Sequence, residues 1–391
     1  MKIMDQILSV YYAWHRFEAG NQVDIIDFDL LGIGESFKKT YRNRDEVKQD
    51  VIALMETYDR QTDKNAFVAE KLNAAFHFLC ALMGENLQFH DYVAATMGVQ
   101  PAPIPEKRLR AEKAKAKDGM DRLGYGFSAD EFKRLERETI YTEKTEIIDS
   151  FRAAEEKAVP LVLGWLGLDI DPDYSIGFDK TDAFWMNFIN TDEHGNIRLR
   201  FNLHDSVRKK WRKGAPEFYA LHEICCHALQ SLNWKKRLRQ GNIDRISGLT
   251  SVFTPEQFIS EGIAQTLYYF LPENPLSDHG ELYLHANNLY HMLLNNAHIM
   301  VNGNQSFEDA FEYISNYLPN LDADFMKKDL HNRANDPLLR TYQYIYGIAS
   351  YYHQEIAAGL DDKGKRDYVV DIFHNVYSPG EIFSKYKIDL L

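Results

Sequence analysis

The sequence predicts a mainly α chain (α+β overall), a helical bundle carrying one small antiparallel sheet. Three observations predict it. Apolar residues recur at three- and four-residue spacing over residues 45–58, 66–83 and 144–168, the period of helices with one buried face. Strict alternation holds in one short stretch, where Ile197, Leu199, Phe201 and Leu203 interleave with Arg198, Arg200 and Asn202. From Pro216 the helical period returns and runs almost to the end.

The 391 residues are enough for two lobes, and the change of pattern near residue 170 divides them into a helical lobe over 1–170 and a second lobe over 171–391. Apolar residues make up 45% and charged residues 26%, as expected for a globular chain with a buried core. The formal net charge is −13, which speaks against nucleic acid or an anionic membrane as a partner. Asp5 and His15 interrupt the start where a signal peptide needs an apolar run, and the apolar run over residues 158–168 is too short to span a bilayer. Three cysteines, two of them the adjacent Cys225 and Cys226, do not form a disulfide framework. A reducing, cytoplasmic location is expected.

Taken in order, the first lobe holds the helices named above. Residues 101–105 (PAPIP) are a rigid break before a basic run over 106–122, read as a solvated helix face. Residues 169–174 (DIDPDY) are turn chemistry. Two strands are expected over 183–191 and 196–204, joined through DEHG as a hairpin. The next helix reads GAPEFYALHEICCHALQ over 214–230, with Pro216 suited to its first turn.

That helix contains His222-Glu223-Ile224-Cys225-Cys226-His227. Two imidazoles and an adjacent carboxylate are what a zinc hydrolase needs: ligands for the metal and a base for the attacking water. The spacing is H-E-x-x-x-H, one residue more than the usual H-E-x-x-H. Five residues of α-helix turn roughly 500°, leaving the two histidines about 140° apart. Both reach one metal only if the helix bulges between them, as in a π turn. A His222/Cys226 pair, four residues apart, is a second way to bind a metal. Further on, Thr254-Pro255-Glu256-Gln257 reads as a helix start with Thr254 as N-cap. It leads to Glu261 in an apolar helix beside Gly262. A carboxylate there needs a partner, and a metal is a good one. Gly262 would let another element approach closely.

These residues resemble the gluzincin metallopeptidases, in which a His-Glu helix is followed by an E-G-x-A helix. Two branches are similar. One has H-E-x-x-P-G-H-x-L-Q and a later E-G-W-A, and is related to the carboxypeptidase Taq peptidases. The other has H-E-x-x-x-H and includes the tubulin tyrosine carboxypeptidases. The chain has the His227-Ala228-Leu229-Gln230 ending of the first and the histidine spacing of the second, and it lacks the Pro-Gly pair. The resemblance covers residues 183–391. It implies a gluzincin-like fold with residues 171–391 as the catalytic lobe, Zn²⁺ held by His222, His227 and Glu261, and Glu223 as general base. It also implies Tyr344, in Tyr344-Ile345-Tyr346-Gly347, as a hydroxyl donor to the oxyanion. His298 corresponds to a histidine of a family helix, and residues 372–380 to a closing F-H…G segment. The strand IRLRFNLH would be a substrate-binding edge strand, so Arg198, Arg200 and Asn202 join His298 as candidate substrate contacts.

Other chemistries fit less well. Residues 359–365 have Walker-A spacing, but Arg366 stands where Ser or Thr is needed. There is no G-x-S-x-G, and no histidine has a Glu three positions before it, as a di-iron bundle requires. The expected function is zinc-dependent hydrolysis of peptide bonds in a peptide or protein substrate, with a carboxypeptidase as one form of it. The alternatives are a binding or scaffold protein on a degenerate site, and a hydrolase of a non-peptide amide.

Overall fold

The computed structural model of the chain describes residues 2–62, 65–182, 185–208, 210–319 and 321–388. In chain order come α1 (Ile3–Ala19), the short strand β1 (Phe28–Asp29), α2 (Arg44–Asp59), α3 (Ala66–Leu82), α4 (Phe89–Met97), α5 (Glu106–Arg122), α6 (Ala129–Thr139) and α7 (Lys144–Leu166). The helices expected over 45–58, 66–83 and 144–168 are α2, α3 and α7. The Asn43 side chain caps α2 by accepting from Glu46 N at 3.0 Å. The PAPIP break separates α4 from α5. The basic run on α5 is a solvated face: Arg110 and Lys117 pair with Glu106 and Asp121 of the same helix, while Leu109 and Ala116 are buried.

Three strands follow: β2 (Tyr174–Asp179), β3 (Asn187–Thr191) and β4 (Ile197–Asn202). The expected hairpin is β3–β4, antiparallel, with Asn187 opposite Phe201 and Thr191 opposite Ile197. Residues 183 and 184 of the first expected strand lie outside the described residues. Burial in β4 follows the alternation, with Ile197, Leu199 and Phe201 inward and Arg198 exposed. Two features differ from the expectation. The turn over 169–174 runs directly into β2, where Tyr174, Ile176 and Phe178 alternate with Ser175, Gly177 and Asp179. β2 pairs with β4 in parallel, so the sheet is mixed, with order β2-β4-β3. β4 is therefore the central strand. Both its backbone edges are taken, and it has no free edge to add a peptide strand.

The remaining elements are α8 (Asp205–Arg208), α9 (Ala215–Tyr219), a π-helical segment (Ala220–Ala228), α10 (Leu229–Arg239), β5 (Leu249–Thr250), α11 (Glu256–Thr266), α12 (Asp278–Asn302), α13 (Phe307–Ser315), α14 (Ala323–Asn335), α15 (Leu339–Gly359), α16 (Asp362–His374) and α17 (Pro379–Tyr386). β5 pairs with β1, Thr250 opposite Phe28, and ties the N-terminal helices to the approach of α11. No helix of the described residues is long and apolar enough to cross a membrane.

The apolar core does not part at residue 170. One cluster packs α1–α3 against Ile246, Leu249 and Phe253. A second and larger one begins at Phe89 and joins α5 and α7 to the sheet and the helices beyond residue 215, and a small third one holds Met120, Tyr125, Leu135 and Leu282. Phe151 of α7 packs on Phe201 of β4 at a 4.2 Å ring separation. The long apolar face of α7 thus belongs to the same core as the His-Glu helix.

Candidate metal centre

The helix beginning at Ala215 departs from α geometry where the histidine spacing requires it. Pro216 lies in its first turn, and residues Ala220–Ala228 are a π-helix. In a π-helix the hydrogen bond runs from i to i+5, so residues five apart stack as residues four apart do in an α-helix. His222 and His227 are five apart, and their rings meet at 4.9 Å between centroids, nearly perpendicular. All nine residues of the segment are buried, and Ile224, Cys225 and Cys226 sit in the main core. Tertiary packing thus supports a geometry that is unusual in an isolated helix.

Glu261 comes from α11. The close approach that Gly262 permits is to α15: a Cβ on Gly262 would lie 2.1 Å from His353 Nδ1. Gly347 does the same between α15 and α12, where a Cβ would lie 2.4 Å from the His291 carbonyl oxygen. Together these glycines bring α11, α12 and α15 around the histidine pair. The helix start differs from the expected cap. Pro255 occupies the cap position, and Thr254 Oγ1 donates to the Ser251 carbonyl at 2.6 Å.

The ligand atoms converge. His222 Nε2 and His227 Nε2 are 3.2 Å apart, and Glu261 Oε2 lies 3.7 and 3.8 Å from them. Metal–ligand bonds of 2.0–2.1 Å in a tetrahedron put donors about 3.3–3.4 Å apart. The triangle is close to that size. Two imidazole nitrogens facing at this distance require a shared proton or a cation. Glu261 Oε2 is buried and has no hydrogen-bond partner among the described residues. The residues present therefore fit a metal of zinc size.

Glu223 also lies close, and His222, Glu223 and His227 have ligand atoms within 4.8 Å of one another. Its Oε1 is 3.6 Å from His222 Nε2 and accepts a hydrogen bond from Asn187 Nδ2 of β3, while Oε2 is buried without a partner. Glu261 suits the third ligand position better, because its Oε2 faces both imidazoles and its Oε1 is already held by the Tyr342 hydroxyl at 2.8 Å. Ser260 Oγ lies 3.1 Å from His227 Nδ1 and orients that ring.

The local electrostatics separate the two carboxylates. Burial pushes Glu223 up to about 7, helped by the charge of Glu261. Burial acts on Glu261 in the same sense, but the charges of His227 and His222 and the Tyr342 hydroxyl together hold it down at about 2. Burial and neighbouring His227 lower His222 to about 3. For His227, the Glu261 and Glu223 charges outweigh burial and raise its value.

The other expected site residues lie elsewhere. Tyr344 is on the opposite side of α15, where its hydroxyl accepts from Ala102 N at 2.9 Å and donates to Ala102 O at 3.1 Å. Tyr342 and Tyr346, four residues apart on one face, turn toward the site, and Tyr346 donates to the Tyr342 hydroxyl at 2.7 Å. His298 is buried between Phe89 and Tyr344. His291, seven residues earlier on α12, lines the site and stacks on Tyr346. Arg200 pairs with Asp179 at 2.5 Å, and Arg198 points to solvent. The Asn202 amide is spent on the Thr181 and Trp185 carbonyls. These three are sheet residues that do not line the cleft over the histidine pair. Cys226 donates to the Ile263 carbonyl at 3.6 Å and does not join the group of converging ligand atoms. The segment over 372–375 buttresses the metal helix: Gln230 and Asn233 donate to the Ile372 and Phe373 carbonyls at 3.0 and 2.6 Å. Asn187, Ser260 and His291 were not legible as site residues. Only the helical spacing of His291 from His298 hinted at one of them.

A cleft of about 1110 Å³ opens over the histidine pair and is lined by β3, α11, α14 and α15. No family model matches the chain, and no curated protein matches it in sequence. Among solved structures, the chain is similar to the crystal structure of a candidate lipoprotein from Colwellia psychrerythraea, with a TM-score of 0.54 and 14% identity. The match covers 87% of this chain and 59% of that one, so the chain spans well under two thirds of the structure it matches, and what the two share is the fold.

Proposed function

We propose that the chain is a zinc-dependent hydrolase of peptide bonds. The observation that carries this reading is the convergence of His222 Nε2, His227 Nε2 and Glu261 Oε2, 3.2–3.8 Å apart, on the floor of a cleft large enough for an extended chain. A zinc ion held by these three residues would supply a Lewis acid and lower the pKa of a bound water.

Glu223 is the general base. Asn187 holds its Oε1, which leaves Oε2 to take a proton from the attacking water and deliver it to the leaving amine. Tyr342 is a positioning residue that fixes Glu261. Tyr346, beside it and lining the cleft, would take the role first expected of Tyr344, its one hydroxyl proton turning from Tyr342 to the developing oxyanion. The strand edge that suits an extended substrate is β3, whose Asn187, Phe188 and Ile189 line the cleft, in place of β4. All three cysteines are buried and unpaired, which supports a cytoplasmic location.

The test is incubation of the zinc-loaded protein with a mixed peptide library, with products read by mass spectrometry. Cleavage that Glu223→Gln abolishes supports the proposal, and the position of the cut separates endo- from exopeptidase action. A protein that takes up no zinc and cuts no peptide would leave the scaffold reading in its place.

A further inference from the structure

The cleft does not end at the metal ligands. It continues past the first turn of α11 to a wall built from the N-terminal region, where Asp24, Asp27 and Glu256 line it together. Glu256 is five residues before Glu261, about 7.5 Å along the helix axis. The two residues also face about 140° apart around the helix, so an extended peptide needs more than the roughly two residues of the axial rise to link them.

Glu256 is only 2% exposed. Its Oε1 is paired with the ammonium of Lys71, which is itself buried and also donates to the Leu249 carbonyl. Its Oε2 lines the same wall with no partner among the described residues. Asp27 accepts from Val252 N through Oδ2 at 2.8 Å, and Oδ1 makes no hydrogen bond among the described residues. Asp24 is exposed beside it. Burial pushes the Asp27 carboxyl up to about 7 despite the Val252 bond, and the charges of Asp24 and Glu256 push it the same way. Lys71 offsets one of the three carboxylates, so the wall keeps an excess of negative charge. An independent feature faces the same space: the Trp234 indole lines the cleft at 4% exposure, and its Nε1 has no acceptor among the described residues. Phe28, Phe78 and Leu82 supply apolar surface between these polar groups.

An unpartnered carboxylate oxygen, a second carboxylate open to the cleft and an aromatic floor are complementary to an alkyl stem with a cationic head. We infer that the Asp24–Asp27–Glu256 end of the cleft is a recognition pocket for a cationic group of the substrate, an ammonium or guanidinium, more than two residues from the bond at the metal centre. The inference rests on the peptidase reading for its substrate and deepens it. The cation comes either from a Lys or Arg side chain or from a free amino terminus, and Trp234 Nε1 is the donor for a nearby peptide carbonyl.

The test is fluorescence anisotropy of the full chain with C-terminally labelled hexapeptides. Four are compared: N-acetylated with a central lysine, the same with norleucine, the same with Nε-acetyllysine, and the norleucine peptide with a free amino terminus. A charged hydrogen bond of about 1.5–3 kcal/mol corresponds to roughly tenfold or more in affinity. A cationic peptide should therefore bind at least about tenfold more tightly than the acetylated norleucine peptide. Whether the lysine or the free terminus gains the preference identifies the source of the cation. The double variant Asp24→Asn/Asp27→Asn should reduce the preference to about twofold or less. Glu256→Gln should do the same, but it strips Lys71 of its partner, so the aspartate variant carries the test if that protein fails to fold. Equal binding of cationic and neutral peptides, absence of binding by all four, or a preference that survives the aspartate substitutions would overturn the inference. Zinc content measured on the same samples separates the two readings. Lysine preference in a protein that takes up no zinc removes the hydrolase and keeps the pocket, and zinc uptake without the preference does the reverse.

Discussion

Substituting Tyr342 by phenylalanine removes one oxygen atom from the site, and the structure sets the size of the consequence. The Tyr342 hydroxyl donates to Glu261 Oε1 at 2.8 Å in a buried environment, and it is the side-chain donor that leaves Oε2 turned to the two imidazoles. A buried hydrogen bond to a charged group contributes about 1.5–3 kcal/mol. If that energy serves to hold the carboxylate in its ligating orientation, its loss weakens zinc binding by roughly 10–100-fold, the usual range for groups that orient a metal ligand. Tyr344→Phe is the control. It lies two residues away on the same helix, but its hydroxyl bonds to Ala102, so it should cost about 1 kcal/mol of stability and leave zinc affinity unchanged. The assay is competition for zinc with a chromophoric chelator, run on folded wild type and both variants. Equal zinc affinity in wild type and Tyr342→Phe, or an equal loss in both variants, would show that the Tyr342–Glu261 bond does not position a metal ligand.

Three other outcomes are expected. Glu223→Gln keeps the shape and the Asn187 contact, so zinc should be retained while turnover of a cleaved peptide falls by ~10²–10⁴; full activity in the variant would remove Glu223 from the mechanism. Gly262→Ala should lower the urea midpoint, because its Cβ would meet a His353 ring held by Ala349 and Tyr368, and overpacking of about 1–3 kcal/mol exceeds the helix-propensity gain of about 1 kcal/mol; a midpoint at or above wild type would contradict that contact. Glu112 is buried, and although burial raises its pKa, its bonds to His285 and Lys115 hold it below the ordinary carboxylate value. A depressed carboxylate contributes stability above its unfolded pKa and loses it as pH falls through the folded value, so the melting temperature of Glu112→Gln should fall less steeply than wild type between pH 5 and pH 3; parallel curves would exclude the effect.

What the sequence disclosed depended on whether a residue's role followed from its own neighbours. The five-residue spacing of His222 and His227 called for a helix that is not α, and the π segment is that helix. Glu261 beside Gly262 pointed to a buried carboxylate and a close helix contact, and both are present. The tyrosines were ambiguous for a local reason. A helix separates Tyr344 from Tyr342 and Tyr346, but only the packing of α15 against α11 and α4 decides which face meets Glu261. Asn187 reaches Glu223 across 36 residues, and no pattern within β3 marks it. β2 escaped notice because its alternation of Tyr174, Ile176 and Phe178 is short, contains Gly177 and begins within the turn residues 169–174. β4 showed its buried face clearly, yet alternation is the same for a central and an edge strand, so the expected peptide-binding role did not follow from it.

The π turn has a consequence for how this helix could change its length. Deleting one residue between Glu223 and His227 would put the histidines four apart on an ordinary α-helix, with the pair still able to face one ion. The rest of the helix would then rotate by about 100° and shift by about 1.5 Å. Gln230 and Asn233, which now reach the carbonyls of Ile372 and Phe373, would swing away from them, and Trp234 would leave the cleft wall. The extra residue is thus locked in by its own downstream attachments. A shorter form of the motif is open to this chain only through a compensating insertion before α16 is reached, so the spacing of the two histidines is held by a part of the molecule that never touches them.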